Sequence, residues 1–229
     1  MEENIDPISN GSTTFSNNDV FKKAFLWMFL GLFATGIIAW YTYSTGALFN
    51  FAMTGGLAFL AIIEVVVVLV FSLVSHKLPP SVVGVLYFVY AAINGVTMSS
   101  IFYVYELGSI VAIFFVAAAV FGIFALLGYT TKIDLSKIGT IALALLLACI
   151  IVSIINLFLG NSFIDMVISW VVLVLFFGIT AYDVQKIKNM AMVEGPYQDK
   201  LHIYAAMDIY LDFINIFLRI LSLFGKRRN

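Results

Sequence analysis

One cysteine in 229 residues, Cys149, excludes an internal disulfide, and its place in an apolar run makes it a small packing residue. Charge is scarce too. Asp, Glu, Lys and Arg make up 11% of the chain against 62% hydrophobic residues, with a mean hydropathy of +1.06. A soluble domain with that balance would aggregate. The net charge of -1, with no basic patch interrupting the apolar segments, excludes a nucleic-acid partner. There is no Cys/His cluster with zinc spacing, no HExxH, no GxSxG and no P-loop. The last apolar run holds no lysine for a retinal Schiff base. No nucleophile–base pair is visible, so the chain reads as a non-enzyme without a cofactor.

What is present is hydrocarbon in lengths that suit a bilayer, which takes about 20 apolar residues per helical crossing. Six runs meet that length, 24–43, 56–75, 81–103, 109–129, 139–160 and 163–182; a seventh, 201–224, is long enough but carries Asp208, Asp212 and Arg219. The expected fold is an all-α membrane protein, one seven-helix domain over 20–229 behind a flexible polar tail, 1–19, that lacks the pattern of a cleaved signal. Lys22 and Lys23 precede the first run, while Lys77, Lys132, Lys137, Lys186, Lys188 and Lys200 follow even-numbered runs. Loops after the first, third and fifth runs have neither Lys nor Arg. That asymmetry puts the N-terminus in the cytoplasm. The tail Lys226-Arg227-Arg228 opposes it, so the last segment either crosses and exports three cations or re-enters; crossing is the expectation.

Ionisable groups inside hydrocarbon cost several kcal/mol and survive mainly where they line a protein interior or a watery cavity. Asp208, Asp212, Asn215 and Arg219 recur at i, i+4, i+7 and i+11, a single helical stripe that should face the bundle interior. The stripe serves conduction, or it locks the helix in place by mutual neutralisation, although Asp212 and Arg219 lie ~10 Å apart along the axis. Asp183, at the end of the sixth run, reads alone as a solvated helix end; paired with Asp212 it becomes a dyad that shares a proton and titrates as a unit. Glu64, mid-way along the second run, must face the interior, as an ion-path or hydrogen-bonding acid or as a structural one. Asn94, Thr97, Ser99, Ser100 and Asn156 either line the same interior or join helices. Two membrane aspartates also characterise intramembrane aspartyl proteases; Tyr182-Asp183 fits their YD motif, but Tyr210-Leu211 stands where GxGD needs glycine.

Four segments carry a resemblance. Tyr129-Thr-Thr-Lys-Ile-Asp-Leu-Ser-Lys-Ile-Gly139, Ala181-Tyr-Asp-Val-Gln-Lys-Ile187, Tyr210-Leu-Asp-Phe-Ile-Asn-Ile-Phe217 with Leu223-Phe-Gly225, and Asn94-Gly-Val-Thr-Met-Ser-Ser-Ile101 resemble, in order, motifs of the Bax inhibitor-1 (transmembrane BAX inhibitor motif) family, closest to its bacterial members. The resemblance implies seven helices with the C-terminal one central, and a pH-sensitive calcium leak in a bacterial cytoplasmic membrane. It makes Asp183 and Asp212 the pH-sensing pair, with calcium and protons as partners beside membrane lipid. A basic latch late in helix two, present in some members, either falls to His76 or Lys77 here or is missing. Asp208 stands where relatives commonly carry Ser or Thr; it would shift the titration of the cluster or add a cation ligand. The rival expectation is a non-transporting regulator that restrains a membrane protease or a stress or cell-death pathway through helix contacts.

Overall fold

The computed structural model describes residues 17–48, 56–74, 77–192 and 198–228. Among these the chain is helical throughout, with one isolated antiparallel bridge, Tyr105 to Arg227. The helices are α1 Asn17–Ser44, α2 Gly56–Val74, α3 Pro80–Met98, the single turn α4 Ile101–Val104, α5 Leu107–Thr130, α6 Ser136–Leu159, α7 Ser162–Ala191 and α8 Leu201–Phe224. Five spans, Asp19–Ser44, Pro80–Val104 (α3 with α4), α5, α6 and α7, are long and apolar enough to cross a membrane. The segment α8 is long enough but is loaded with acids, and the continuous apolar stretch of α2 is Ile62–Phe71.

Local chemistry sets the boundaries. Proline at the first position of α3 donates no hydrogen bond where none is needed, and its φ suits a helix start. Gly160 ends α6 in the left-handed region, φ 63°, and its N–H returns to the Asn156 carbonyl. Asn161 then caps α7 by accepting from the Phe163 and Ile164 amides. At the other end α7 runs nine residues beyond its apolar stretch. The sequence reading placed a connection from Val184; instead Val184, Ile187 and Ala191 continue a buried stripe at helical spacing. Similarly α1 starts at Asn17, inside the expected polar tail, with Asp19 in its first turn where the helix dipole favours an acid.

The last helix is the hub. It packs directly on α1, α3, α5 and α7, while α2 packs chiefly on α3, and α6 on α7. The ring of six helices implied by the resemblance is therefore uneven: α1, α5 and α7 pack most closely on α8, α3 less so, and α2 reaches it through Phe71 on Tyr204. Burial follows this order, since most of α8 is inside whereas α6 buries only Gly139, Ala142 and Asn156. Small residues permit the close approaches that stand in for a hydrophobic drive between helices in lipid. A Cβ on Gly128 would strike the Ala181 carbonyl, and one on Gly139 the Tyr182 ring, so both glycines seat α7 against its neighbours. Gln185 fixes the α5–α6 turn, accepting from Leu135 N–H (2.8 Å) and donating to the Ile133 carbonyl (2.7 Å).

The chain end lies at the opposite end of the bundle from that turn. Arg228 N–H donates to the Val104 carbonyl, Glu106 N–H to the Lys226 carbonyl, and Lys226 Nζ pairs with Glu106 at 2.8 Å. Arg228 also reaches the Tyr43 hydroxyl at 2.8 Å. At the start of α8, Lys200 Nζ donates to the Leu78 carbonyl beside the α2–α3 connection. The final helix thus carries the chain along the bundle's whole length, and its basic tail meets the last turn of α1, the end of α4 and Glu106 beyond it.

Candidate functional site

Successive residues on a helix rotate by about 100°, so Asp208 and Asp212 share a face of α8 while Tyr210 points the other way. The fold uses both directions. One face meets α7, where Asp183, Lys186 and Thr180 project toward it; the other meets α1 and α3, with α2 behind.

On the α7 side, Lys186 Nζ bonds Asp208 Oδ2 at 3.2 Å, and the two side chains keep 42% and 36% of their exposure. They edge a cavity of about 370 Å³ that Phe71, Met190, Tyr204 and Leu211 help to enclose. One turn deeper the surroundings close. Asp212 is only 2% exposed, with Asp183, Asp208 and Lys186 as its charged neighbours and Thr180 facing it. Among the described residues, neither Asp212 Oδ2 nor Thr180 Oγ1 has a hydrogen-bond partner, although both are buried. Asp183, half-buried, has Asp208 and Lys186 as charged neighbours. Three acids and one base therefore share one interhelical space, and a partnerless carboxylate oxygen at its floor invites a proton, a water or an ion.

The opposite face holds a neutral network. The Tyr210 hydroxyl donates to Asn94 Oδ1 (3.1 Å) and lies 2.7 Å from Thr35 Oγ1, which in turn donates to the Ala91 carbonyl at 3.0 Å. Two hydroxyl protons serve three contacts, so one proton is shared. Glu64 faces Thr97 and Asn94 beside this network, with Oε1 buried and without a partner among the described residues.

The structure thus gathers Asp183, Asp208 and Asp212 as the sequence suggested, and it sets Glu64, Asn94 and Thr97 apart from them across α8. The proposed common interior is two clusters divided by one helix. Other residues move further. Asn156 is engaged at the helix turn: its amide donates to Asp165 Oδ1 (2.6 Å) and to the Asn161 carbonyl (3.0 Å), tying the α6–α7 turn. Asn215 donates to the Leu211 carbonyl of its own helix at 2.8 Å. Arg219 has Cys149 and Asp165 as its electrostatic neighbours, not Asp212, and its Nε is buried without a partner among the described residues. The stripe therefore splits, because seven residues of rise exceed what either side chain can span. Lys77 is exposed at the α2–α3 connection, and His76 lies outside the described residues. The cation that reaches the acids is Lys186, a residue read as loop charge. Its i+3 spacing from Asp183 was the available signal, hidden because the apolar run seemed to end at 182. Thr35 and Thr180 carry no signal in the sequence that sets them apart from other polar residues of apolar helices, and Tyr210 stands out there only as part of the Tyr210–Phe217 motif. The sequence also offers Asp183 and Asp212 as calcium ligands, and the fold places the two, with Asp208, about the same interhelical space.

Known proteins match this chain over nearly its whole length. The family model described as inhibitor of apoptosis-promoting Bax1 matches residues 17–229. The chain is 36% identical over 208 residues to the inner membrane protein YbhL of Escherichia coli K12, covering 88% of this chain and 89% of that one. It is 34% identical to an uncharacterized protein of Borreliella burgdorferi, covering 93% and 94% of the two chains. With a protein of Rickettsia prowazekii it shares 33% identity over 95% of its own length and 97% of the relative's.

Proposed function

The chain belongs to the Bax inhibitor-1 family, a multi-pass bacterial membrane protein like its inner-membrane relative, and on that footing we propose that it is a pH-sensitive cation leak channel with calcium as the permeant ion. The observation that carries this reading is Asp212: a carboxylate at 2% exposure, one oxygen without a partner among the described residues, with Asp183, Asp208 and Lys186 around it. Three acids against one ammonium cannot all stay ionised in a site of low dielectric, so the group takes up and releases protons as a unit. Each proton alters the attraction between α7 and α8, the two helices that carry all four groups. A shift of α8 would be felt on its far face, where Tyr210 holds Thr35 and Asn94 and where Glu64 waits as a second acid. Carboxylate oxygens suit a hard cation such as calcium, bound in passing and not in a closed cage. The reading takes seven crossings with the N-terminus in the cytoplasm, and the flux is passive because no energy-coupling motif is present.

Purified protein in calcium-loaded liposomes, assayed from pH 5 to 8, tests this. Wild type should leak calcium with a sigmoidal pH dependence, and Asp212→Asn should flatten that dependence while leaving the protein folded. Absence of flux at every pH would remove the channel and leave a regulator acting through helix contacts.

A further inference from the structure

The carboxylate site occupies the inner side of α7 and α8; a second feature lies between α1 and α5. Both helices pack on α8, yet their backbones stay apart, bridged by the rings of Phe21 on Tyr129 (5.0 Å) and Phe25 near Phe121 (6.4 Å). The gap between them is a lateral cleft. Its first half is a cavity of about 600 Å³ bordered by Phe25, Met28, Gly122, Leu126 and Tyr129, floored by Phe213 of α8, with Lys22 at its rim. Its second half, about 760 Å³ around Gly36, Trp40 and Phe114, has no basic residue among the described residues of its wall.

Charge separates the halves. Lys22 is exposed and makes no ion pair among the described residues. From α7, behind that wall, Lys188 Nζ donates to the carbonyl of the lining residue Tyr129 (2.8 Å) and lies 5.1 Å from its ring centre. Two ammonium groups thus flank the Tyr129 end of an otherwise apolar slot. From Ala118 to Tyr129 the slot follows α5 for about 16 Å, which is about the hydrocarbon depth of one leaflet. An apolar slot one leaflet deep with cations at the headgroup level fits a particular occupant.

We propose that the Lys22 half of the cleft binds one anionic phospholipid, its acyl chain laid between α1 and α5 and its phosphate at Lys22 and Lys188. The apolar walls take up the chain, and the ammonium groups select the anionic headgroup over a zwitterionic one. The Gly36 half, lacking cations, makes no such selection.

Gly122 supplies a clean block, since it lines the cavity and a Cβ there meets nothing within 4 Å; Gly36 is equally open in the other half. Native mass spectrometry of the full chain, released from nanodiscs of mixed phosphatidylglycerol and phosphatidylcholine, reads the bound lipid. Wild type should retain one phosphatidylglycerol in clear preference to phosphatidylcholine. Gly122→Leu should lose it, Lys22→Glu should weaken it at least several-fold, and Gly36→Leu should keep it. Melting curves confirm that each variant is folded; should Gly122→Leu melt early, Lys22→Glu, at an exposed position, decides alone. Equal retention of both lipids, unchanged retention in Lys22→Glu, or a second copy of the chain held in place of lipid would each overturn the proposal.

Discussion

Lys186 shows how much one side chain decides. Without it, Asp183, Asp208 and Asp212 would be three like charges in one interhelical space; with it, Asp208 gains a 3.2 Å partner and Asp212 a cation within electrostatic range. Because the pair keeps 42% and 36% of its exposure, its direct worth to stability is modest, of the order of 0–1 kcal/mol. Its influence on proton uptake by the buried neighbours is the larger effect. Removing a charge beside a titrating group moves its midpoint by roughly a unit when the two are close. Asp208→Ser takes away a negative neighbour, so the pH midpoint of calcium flux should move to lower pH. Lys186→Met takes away the positive one, and the midpoint should move to higher pH. Flux titrations of the two variants should therefore bracket wild type; midpoints that coincide with wild type in both would mean that these groups do not report to the gate. Asp212 was legible from sequence because a carboxylate in hydrocarbon is costly wherever the helix turns it. Lys186 was not, since a lysine three residues past an apolar run looks the same as solvent-exposed loop charge until the helix is known to continue.

Helices were the easiest part to read, and their partners the hardest. Length and hydropathy alone placed six apolar runs, but nothing in those runs says that Gly128 and Gly139 bring α5 and α6 against α7, or that Gln185 reaches back to the turn between them. Such contacts pair residues about 50 positions apart, and they hold the end of α7 that carries Asp183. The turn adds its own clasp. Asp134 accepts from the Ser136 hydroxyl and, at 2.9 Å, from the Ser136 amide, and these bonds hold its carboxyl below the usual carboxylate range. A carboxyl lowered in the folded state contributes above its unfolded value, about 3.9, and loses that contribution as pH falls through its folded value. The expected result is a Ser136 amide whose exchange protection is constant from pH 7 to 5 and falls below pH 4, measured as protection factors. Asp134→Ala should show the low protection at pH 5 already; equal protection in the two proteins at pH 5 would remove the clasp.

At the scale of the whole molecule, the acids, the hub helix and the basic tail pose one question: which way the last segment runs. The loop charges give two answers from sequence, because Lys226-Arg227-Arg228 contradicts the other eight lysines. Packing bears on the choice. A helix that re-entered would return its tail to the end where it began, beside Lys200 and Leu78; here the tail is bonded to Val104, Glu106 and Tyr43 at the far end. The attachment also meets part of the cost of placing cations there, since Lys226 has Glu106 and Arg228 has the Tyr43 hydroxyl. If the bundle sits in the bilayer as the apolar spans require, Lys132, just past α5, and Arg227 lie on opposite faces of the membrane. Replacing Cys149 with alanine and introducing Lys132→Cys or Arg227→Cys makes this measurable with a thiol reagent that cannot cross lipid. Applied to intact cells, the reagent should label the Arg227→Cys protein and spare the Lys132→Cys protein until the membrane is opened. Labelling of both from one side would mean that α8 does not cross, and the acidic face would then have to open to the same compartment from which it was entered.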